Sequence, residues 1–309
     1  MKEDSRILVT GGTGFIGRFL CEEFKKRSYR NILALGKKDY NLTREREVEK
    51  LFEENGGLEV VIHLAGVSGG VGYIKENPGK VFYENIMMNS LMLEHSRING
   101  VKKFVGVGSA YCYPKNSVAP FKEEDIWNGE VEQSGLAYSL AKKMMLVQSQ
   151  AYRKQYGFNA IYLLLSSVYG PSSTPYVVSS LIKEFCQAVS ANKNVANVWG
   201  SGEVSRDFLY AEDAAEAIFK ATKEYNGAEP INIGSGKETR IFDLAKMIAA
   251  EIGFNGEIVL DKSKPDGPKR IILDCAKAER EFGFKAKTLL RDGLIKTIKH
   301  YEENKSKSC

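Results

Sequence analysis

The sequence is poor in the residues that build metal and disulfide frameworks. Three histidines and five cysteines are scattered over 309 residues, with no Cys-x-x-Cys or short Cys/His spacing of the kind a zinc site needs. The cysteines stand at 21, 112, 186, 275 and 309, an odd number, so reduced and mostly buried thiols are expected and no metal. No apolar run approaches the ~20 residues that cross a bilayer. Residues 1–6 pass directly into the strand-like Ile7-Leu8-Val9-Thr10, which leaves no room for the apolar segment of a signal peptide. A cytoplasmic protein without a membrane partner is the expectation. Blocks of one charge are missing too: 44 Lys and Arg against 39 Asp and Glu leave +5, interleaved with acids even near the C-terminus. That pattern is a solvated surface and argues against nucleic acid as a partner. Repeats and low-complexity tracts are also absent.

What remains is ordinary globular composition, 43% hydrophobic and 27% charged. The length suits one large α/β unit with a smaller lobe. Strand-like and helical runs alternate at residues 7–10, 15–26, 31–35, 45–54, 60–64, 83–99, 104–107, 138–156 and 160–165. Such βαβα alternation predicts a doubly wound parallel sheet with helices on both faces. Runs such as Val60-Val61-Ile62 read as strands buried on both sides, and Phe15, Ile16, Leu20 and Phe24 form one apolar helix stripe. After Pro171 the pattern loosens into Gly/Ser/Pro clusters. The boundary is placed between 166 and 172, giving a dinucleotide-binding domain over 1–168 and a C-terminal substrate lobe over 169–309, with 203–225 free to return to the first unit. Residues 302–309 are polar enough for a loose tail.

Directly after the first strand stands Gly11-Gly12-Thr13-Gly14-Phe15-Ile16-Gly17, opening a helix. Gly11 permits the tight turn, Gly14 lets a pyrophosphate approach the backbone, and Gly17 lets helix and sheet pack closely. Free N–H groups at the helix start then face the phosphates. The next strand ends Leu35-Gly36-Lys37-Lys38, where enzymes using the unphosphorylated cofactor commonly place an acid. Two cations there favour a 2′-phosphate and hence NADP(H) over NAD(H), with Lys37 the better candidate. A solvated turn with Asp39 beside it is the competing reading. Leu64 and Ala65 follow a third strand and leave space for the cofactor, while His63 is read as structural.

Tyr138-Ser139-Leu140-Ala141-Lys142 opens a long helix, and residues four apart share a face. A phenol with a pKa near 10 is a weak acid/base at neutral pH, so Lys142 is expected to stabilise the phenolate of Tyr138. Upstream, the strand over 104–107 runs into Gly108-Ser109 and puts a hydroxyl at the carboxyl end of a parallel strand, where ligands bind. Ser109 is the candidate hydrogen-bond donor to the reacting oxygen.

Glycine loop, Ser109 and Tyr138/Lys142 in this order resemble the extended branch of the short-chain dehydrogenase/reductases, the nucleotide-sugar epimerases, dehydratases and reductases. Within that branch Gly69-Gly70-Val71, residues 82–88, Tyr113-Pro114-Lys115, Tyr169-Gly170-Pro171, Trp199-Gly200-Ser201-Gly202 and Arg206-Asp207-Phe208 look most like the GDP-L-fucose synthase family. The resemblance implies a nucleotide-sugar substrate and a homodimer. It implies that Trp199 stacks on a ring, that Arg206 offers a planar fork to the diphosphate, and that Lys269 or Arg270 adds a contact. The dimer reading also rests on Met88, Met92, Met144, Met145 and Val147, more apolar surface than one core-facing stripe requires.

The chain departs from that family where epimerisation is done. The family's proton-carrying cysteine falls at Tyr111, with Cys112 displaced by one, and in an extended segment Cys112 would face away from the sugar. The family's histidine falls in a shortened segment that ends at Tyr176, and His63, His95 and His300 all lie elsewhere. The expectation is therefore a 4-ketoreductase without C3/C5 epimerisation, with Tyr111 and Tyr176 facing the substrate. The alternatives are a bifunctional epimerase/reductase and, from another class, a cofactor-binding sensor or scaffold.

Overall fold

The structure, a computed structural model, describes residues 1–172, 176–264 and 266–306. The first half runs β1 (Ile7–Thr10), α1 (Phe15–Lys26), β2 (Ile32–Leu35), α2 (Glu45–Glu54), β3 (Val60–His63), α3 (Gly70–Glu76), α4 (Pro78–Ile98), β4 (Lys103–Ser109), α5 (Leu136–Tyr156) and β5 (Ala160–Leu165). Then follow β6 (Ser167–Tyr169), α6 (Val177–Ser190), β7 (Val195–Trp199), β8 (Ser205–Tyr210), α7 (Ala211–Glu224) and β9 (Ile231–Ile233). The chain closes with β10 (Glu238–Arg240), α8 (Ile241–Ile252), β11 (Glu257–Asp261), β12 (Arg270–Ile271), α9 (Ala276–Phe282) and α10 (Leu290–Ser306).

The strands β2-β1-β3-β4-β5-β9 pair in that order, all parallel, as the βαβα alternation predicts. The order reverses between β1 and β3, so the crevice at their carboxyl ends is the expected ligand position. Both faces of the sheet are covered. On one, Leu20 and Phe24 of α1 pack with Ala214, Ile218 and Phe219 of α7. On the other, Val48 and Leu51 of α2 join Met88 and Met92 of α4 and Met145 of α5. A third core holds the lobe together, with Leu181 and Phe185 of α6, Leu244 and Ile248 of α8, and Leu294 and Ile298 of α10. Helix α5 stops at Gly157, whose φ of 64° is the left-handed geometry that terminates a helix. Among the described residues no helix is long and apolar enough to cross a membrane.

Three expectations need correction. The lobe is not simply everything after 168: β9 is an edge strand of the main sheet, and α7, within the segment left free to return, packs on α1, because their apolar faces complete the core begun by the first half. Residues 302–306 are not a loose tail but the last turn of α10, anchored by the buried Leu294 and Ile298. Met88, Met92 and Met145 are buried inside the chain, because α4 and α5 pack on each other and use those residues internally. The large apolar residues that α4 and α5 do expose are Phe82, Tyr83, Ile98, Leu136, Val147 and Tyr156.

Candidate active site

The glycine loop is built by crowding. Gly11 has φ 67°, and a Cβ there would lie 3.0 Å from the Ala65 amide at the end of β3. A Cβ on Gly17 would collide with the Gly11 carbonyl, so only glycine lets α1 start this close to the sheet. Gly14 is the N-cap of α1 and no side chain caps that end. The first-turn N–H groups of Phe15, Ile16 and Gly17 therefore await an anionic acceptor, beside the exposed Thr13. Leu64 and Ala65 lie half-buried beside this loop, the Ala65 amide donating to Thr10 Oγ1 at 3.2 Å.

His63 is structural, as read. It is fully buried, with Nδ1 2.7 Å from Thr10 Oγ1 and Nε2 3.2 Å from Asn89 Oδ1, and burial holds its pKa down at about 3. Asn89 in turn donates to the Ala141 carbonyl at 3.0 Å, so a neutral imidazole ties the ends of β1 and β3 through α4 to α5. At the end of β2, Lys37, Lys38 and Asp39 are exposed, and Asp39 accepts from the Gly36 amide at 2.6 Å.

Tyr138 stands in the first turn of α5, with its hydroxyl close enough to the Ser109 hydroxyl at the end of β4 to be influenced by it. One turn on, Lys142 is buried, and its Nζ donates to the Val107 carbonyl at 3.2 Å. The amine passes Gly66, where a Cβ would sit 3.1 Å from Nζ and 3.0 Å from Asn85 Oδ1, so the small residue is required there. Burial pushes Lys142 down to about 8. Burial also pushes the Tyr138 phenol well above its ordinary value, with Tyr176 adding to the rise and the Ser109 hydroxyl opposing it. The lowering expected from Lys142 is not seen, and desolvation is the largest cause of the shift. Tyr138 is thus held as a protonated phenol, the form that donates to an alkoxide.

Beyond Ser109 the backbone leaves the strand in a 3₁₀ turn, Ala110–Cys112, with the Ser109 hydroxyl accepting from the Tyr111 amide at 3.3 Å. The extended geometry assumed for Cys112 is therefore incorrect, because Ser109 caps a turn here. Cys112 nonetheless faces the interior: its Sγ is 3.6 Å from the Ser139 carbonyl and 3.9 Å from the Tyr162 hydroxyl, and burial raises its pKa. Tyr111 lies half-buried. Tyr176, at the N-cap of α6, puts its hydroxyl 2.9 Å from Ser68 Oγ and lies close enough to Tyr138 to act on it electrostatically.

The lobe residues are placed less simply. Trp199 ends β7 with 69% of its surface exposed and with Lys264 Nζ 5.2 Å from its ring centroid. Arg206 is buried and gives Nη1 to the Ser205 and Pro268 carbonyls, both at 2.7 Å. Arg270 closes its fork on Glu238, with Nε to Oε1 at 2.8 Å and Nη2 to Oε2 at 2.5 Å, and Glu238 also accepts from Ser205 Oγ at 2.6 Å. The planar fork of Arg270 here matches a carboxylate on β10, which lies across β8 from it.

Residues 7–234 match the model of the NAD dependent epimerase/dehydratase family. The chain belongs to that family. Across 307 residues it is 34% identical to the GDP-L-fucose synthase of Sinorhizobium fredii, covering 98% of this chain and 97% of that one. Two solved Campylobacter jejuni structures share its fold. A GDP-6-OMe-4-keto-L-xylo-heptose reductase matches with TM-score 0.91 and 26% identity over 98% of this chain and 99% of that one. A GDP-mannoheptose C4 reductase with NADP bound gives 0.88 and 29% over the same shares.

As an extended short-chain dehydrogenase/reductase related to the GDP-L-fucose synthase-like reductases, the chain is an NAD(P)-dependent oxidoreductase. The uncapped start of α1 and the glycine cradle that any Cβ would fill fit a dinucleotide. Several structural partners escaped the sequence reading: Ser68, Asn85, Asn89, Tyr162 and Glu238. Only the family block around 82–88 pointed toward Asn85, whose Nδ2 donates to the Val67 carbonyl at 2.9 Å and whose Oδ1 accepts from the Val67 amide at 3.1 Å.

Proposed function

We propose that this dehydrogenase/reductase is an NADPH-dependent 4-ketoreductase of a GDP-linked 4-keto-6-deoxyhexose or heptose that leaves C3 and C5 as it finds them. The observation that carries this reading is the split state of the site. Ser109, Tyr138 and Lys142 converge at the end of β4, while Cys112 faces the protein interior and, by the sequence resemblance, Tyr111 takes the place of the family's cysteine and Tyr176 follows the segment in which its histidine falls. The named C4 reductases among the structural relatives support it. The named GDP-L-fucose synthases support the GDP handle and keep the bifunctional epimerase/reductase as the alternative.

In this reading Gly11, Thr13, Gly14, Phe15, Ile16 and Gly17 hold the dinucleotide pyrophosphate, Leu64 and Ala65 flank it, Lys37 meets the 2′-phosphate, and Tyr138 and Lys142 reach its nicotinamide half. The bound cofactor supplies the hydride. Ser109 hydrogen-bonds the C4 oxygen, Tyr138 donates the proton that the developing alkoxide takes up, and Lys142 holds a positive charge beneath them. Tyr111 and Tyr176 shape the sugar pocket. Trp199 and the nitrogens of Arg206 other than Nη1 hold the nucleotide end, and Arg270 positions the 268–270 turn through Glu238. The exposed Phe82, Tyr83 and Val147 of α4 and α5 support a homodimer joined through these helices, and sedimentation at micromolar concentration tests it: a stable monomer overturns it. For the activity, purified protein is given NADPH and GDP-linked 4-keto sugars. The expected result is one NADPH consumed per sugar and a C4 alcohol with C3 and C5 unchanged by NMR; a C3- or C5-inverted product overturns the reading.

A further inference from the structure

We infer that Glu45, Glu49 and His95 form a binding site for a borderline divalent transition-metal ion, with Zn²⁺ foremost, that clamps α2 to α4 away from the active site. One ligand atom from each of the three side chains lies within 4.8 Å of the others. Glu45 and Glu49 are four residues apart on α2, so their carboxylates stand on one face, exposed and unpaired among the described residues. Two like charges at that spacing repel, and a cation between them removes the repulsion.

The histidine is the second, independent sign. His95 is 5% exposed, its ring stacks on Phe52 at 6.1 Å, and among the described residues neither ring nitrogen has a hydrogen-bond partner. A buried imidazole normally satisfies its nitrogens, as His63 does in this chain. One nitrogen of His95 lies within 4.8 Å of a carboxylate oxygen of each glutamate. The donor set of one imidazole and two carboxylates, with water in a fourth position, suits Zn²⁺ and its neighbours, whereas Mg²⁺ and Ca²⁺ prefer oxygen throughout. Ligand atoms around tetrahedral zinc are about 3.4 Å apart, so rotation of two flexible, exposed glutamates closes the site around the fixed ring. His95 lies ten residues beyond Asn85 on α4, about 15 Å along the helix, so the ion is a staple and not part of the hydride chemistry.

The test uses the full chain stripped with EDTA and titrated with ZnCl₂ alone, by calorimetry and by competition with a chromogenic chelator. One Zn²⁺ per chain is expected, with Tm rising by about 4 °C at a free concentration a hundred-fold above Kd. Substituted Co²⁺ should show the visible absorption of a tetrahedral site. Because His95→Gln alters a buried position and could fail to fold, the deciding variant is Glu45→Gln/Glu49→Gln, which changes only exposed groups. It should lose at least ten-fold in Zn²⁺ affinity and the whole Tm rise, and the same concentration of Mg²⁺ should give none. Unchanged Zn²⁺ affinity in the double variant, or an equal rise with Mg²⁺, overturns the site.

Discussion

Tyr138 and Lys142 sit one helical turn apart, and burial acts on them in opposite senses: it keeps the phenol protonated and makes the ammonium easier to lose. Removing the phenol tests the first half. Tyr138→Phe should cut turnover by about a hundred-fold or more, the usual cost of losing a general acid, with NADPH binding retained by fluorescence titration. The second half sets the pH profile: if the reaction needs Lys142 charged, kcat/KM should fall as pH rises through about 8. The same shift has a stability sign. A lysine held at about 8 in the fold and 10.5 unfolded is charged at a cost of about 3 kcal/mol below pH 8, and that cost disappears as pH rises to 10.5. Lys142→Met should therefore abolish turnover yet raise Tm by a few degrees at pH 7, with the gain shrinking toward pH 10.5; a lower Tm at pH 7 would show that the bond to the Val107 carbonyl outweighs desolvation. The Tyr-x-x-x-Lys spacing was legible because helical periodicity alone places both side chains on one face. The direction of the Tyr138 shift was not, since burial depends on Tyr111, Cys112 and Tyr176 arriving from distant segments.

The passage from β4 into α5 shows how an element can be read correctly for the wrong reason. Strand alternation turned Cys112 away from the sugar, but the backbone there is a 3₁₀ turn capped by Ser109, and Cys112 is interior because Tyr162 and the Ser139 carbonyl receive it. Tyr162 also donates to the Lys142 carbonyl at 2.7 Å, and a Cβ on Gly108 would collide with its hydroxyl, so this one ring fixes the strand end and the catalytic helix together. Cys112→Ser should leave kcat/KM within two-fold of wild type in the ketone reduction, whereas Tyr162→Phe should lower stability by about 1 kcal/mol through its lost buried hydrogen bond, measured by urea unfolding. The glycine loop and the sheet were legible because parallel strands buried on both faces read as short apolar runs. Pairs such as Arg270 with Glu238, or His95 with Glu45 and Glu49, bring together segments more than thirty residues apart and carry no local signature.

At the scale of the molecule, the site lies where two bodies meet. Ser68 from the dinucleotide-binding half and Tyr176 from the lobe hydrogen-bond across 108 residues of sequence, so on the proposed reading the sugar pocket is complete only when both are in place. The chain order hides this, because the lobe sends α7 and β9 back to the first core. On the proposed reading, a 4-keto sugar entering there meets Ser109, Tyr138 and Lys142 for adding hydride and a proton at C4, while neither Tyr111 nor Tyr176 serves as an acid/base at C3 or C5. Epimerisation requires taking a proton from a carbon next to the ketone and returning one to the opposite face, so a carrier of suitable pKa must stand on at least one side. Cys112 is buried with its thiol pushed up and turned inward. In D₂O with NADPH and the 4-keto sugar nucleotide, the C4 alcohol should therefore form with C3 and C5 free of deuterium by mass spectrometry and NMR. Deuterium at either carbon would make the enzyme bifunctional, and its persistence in Cys112→Ser but not in Tyr111→Phe or Tyr176→Phe would name a tyrosine as the carrier.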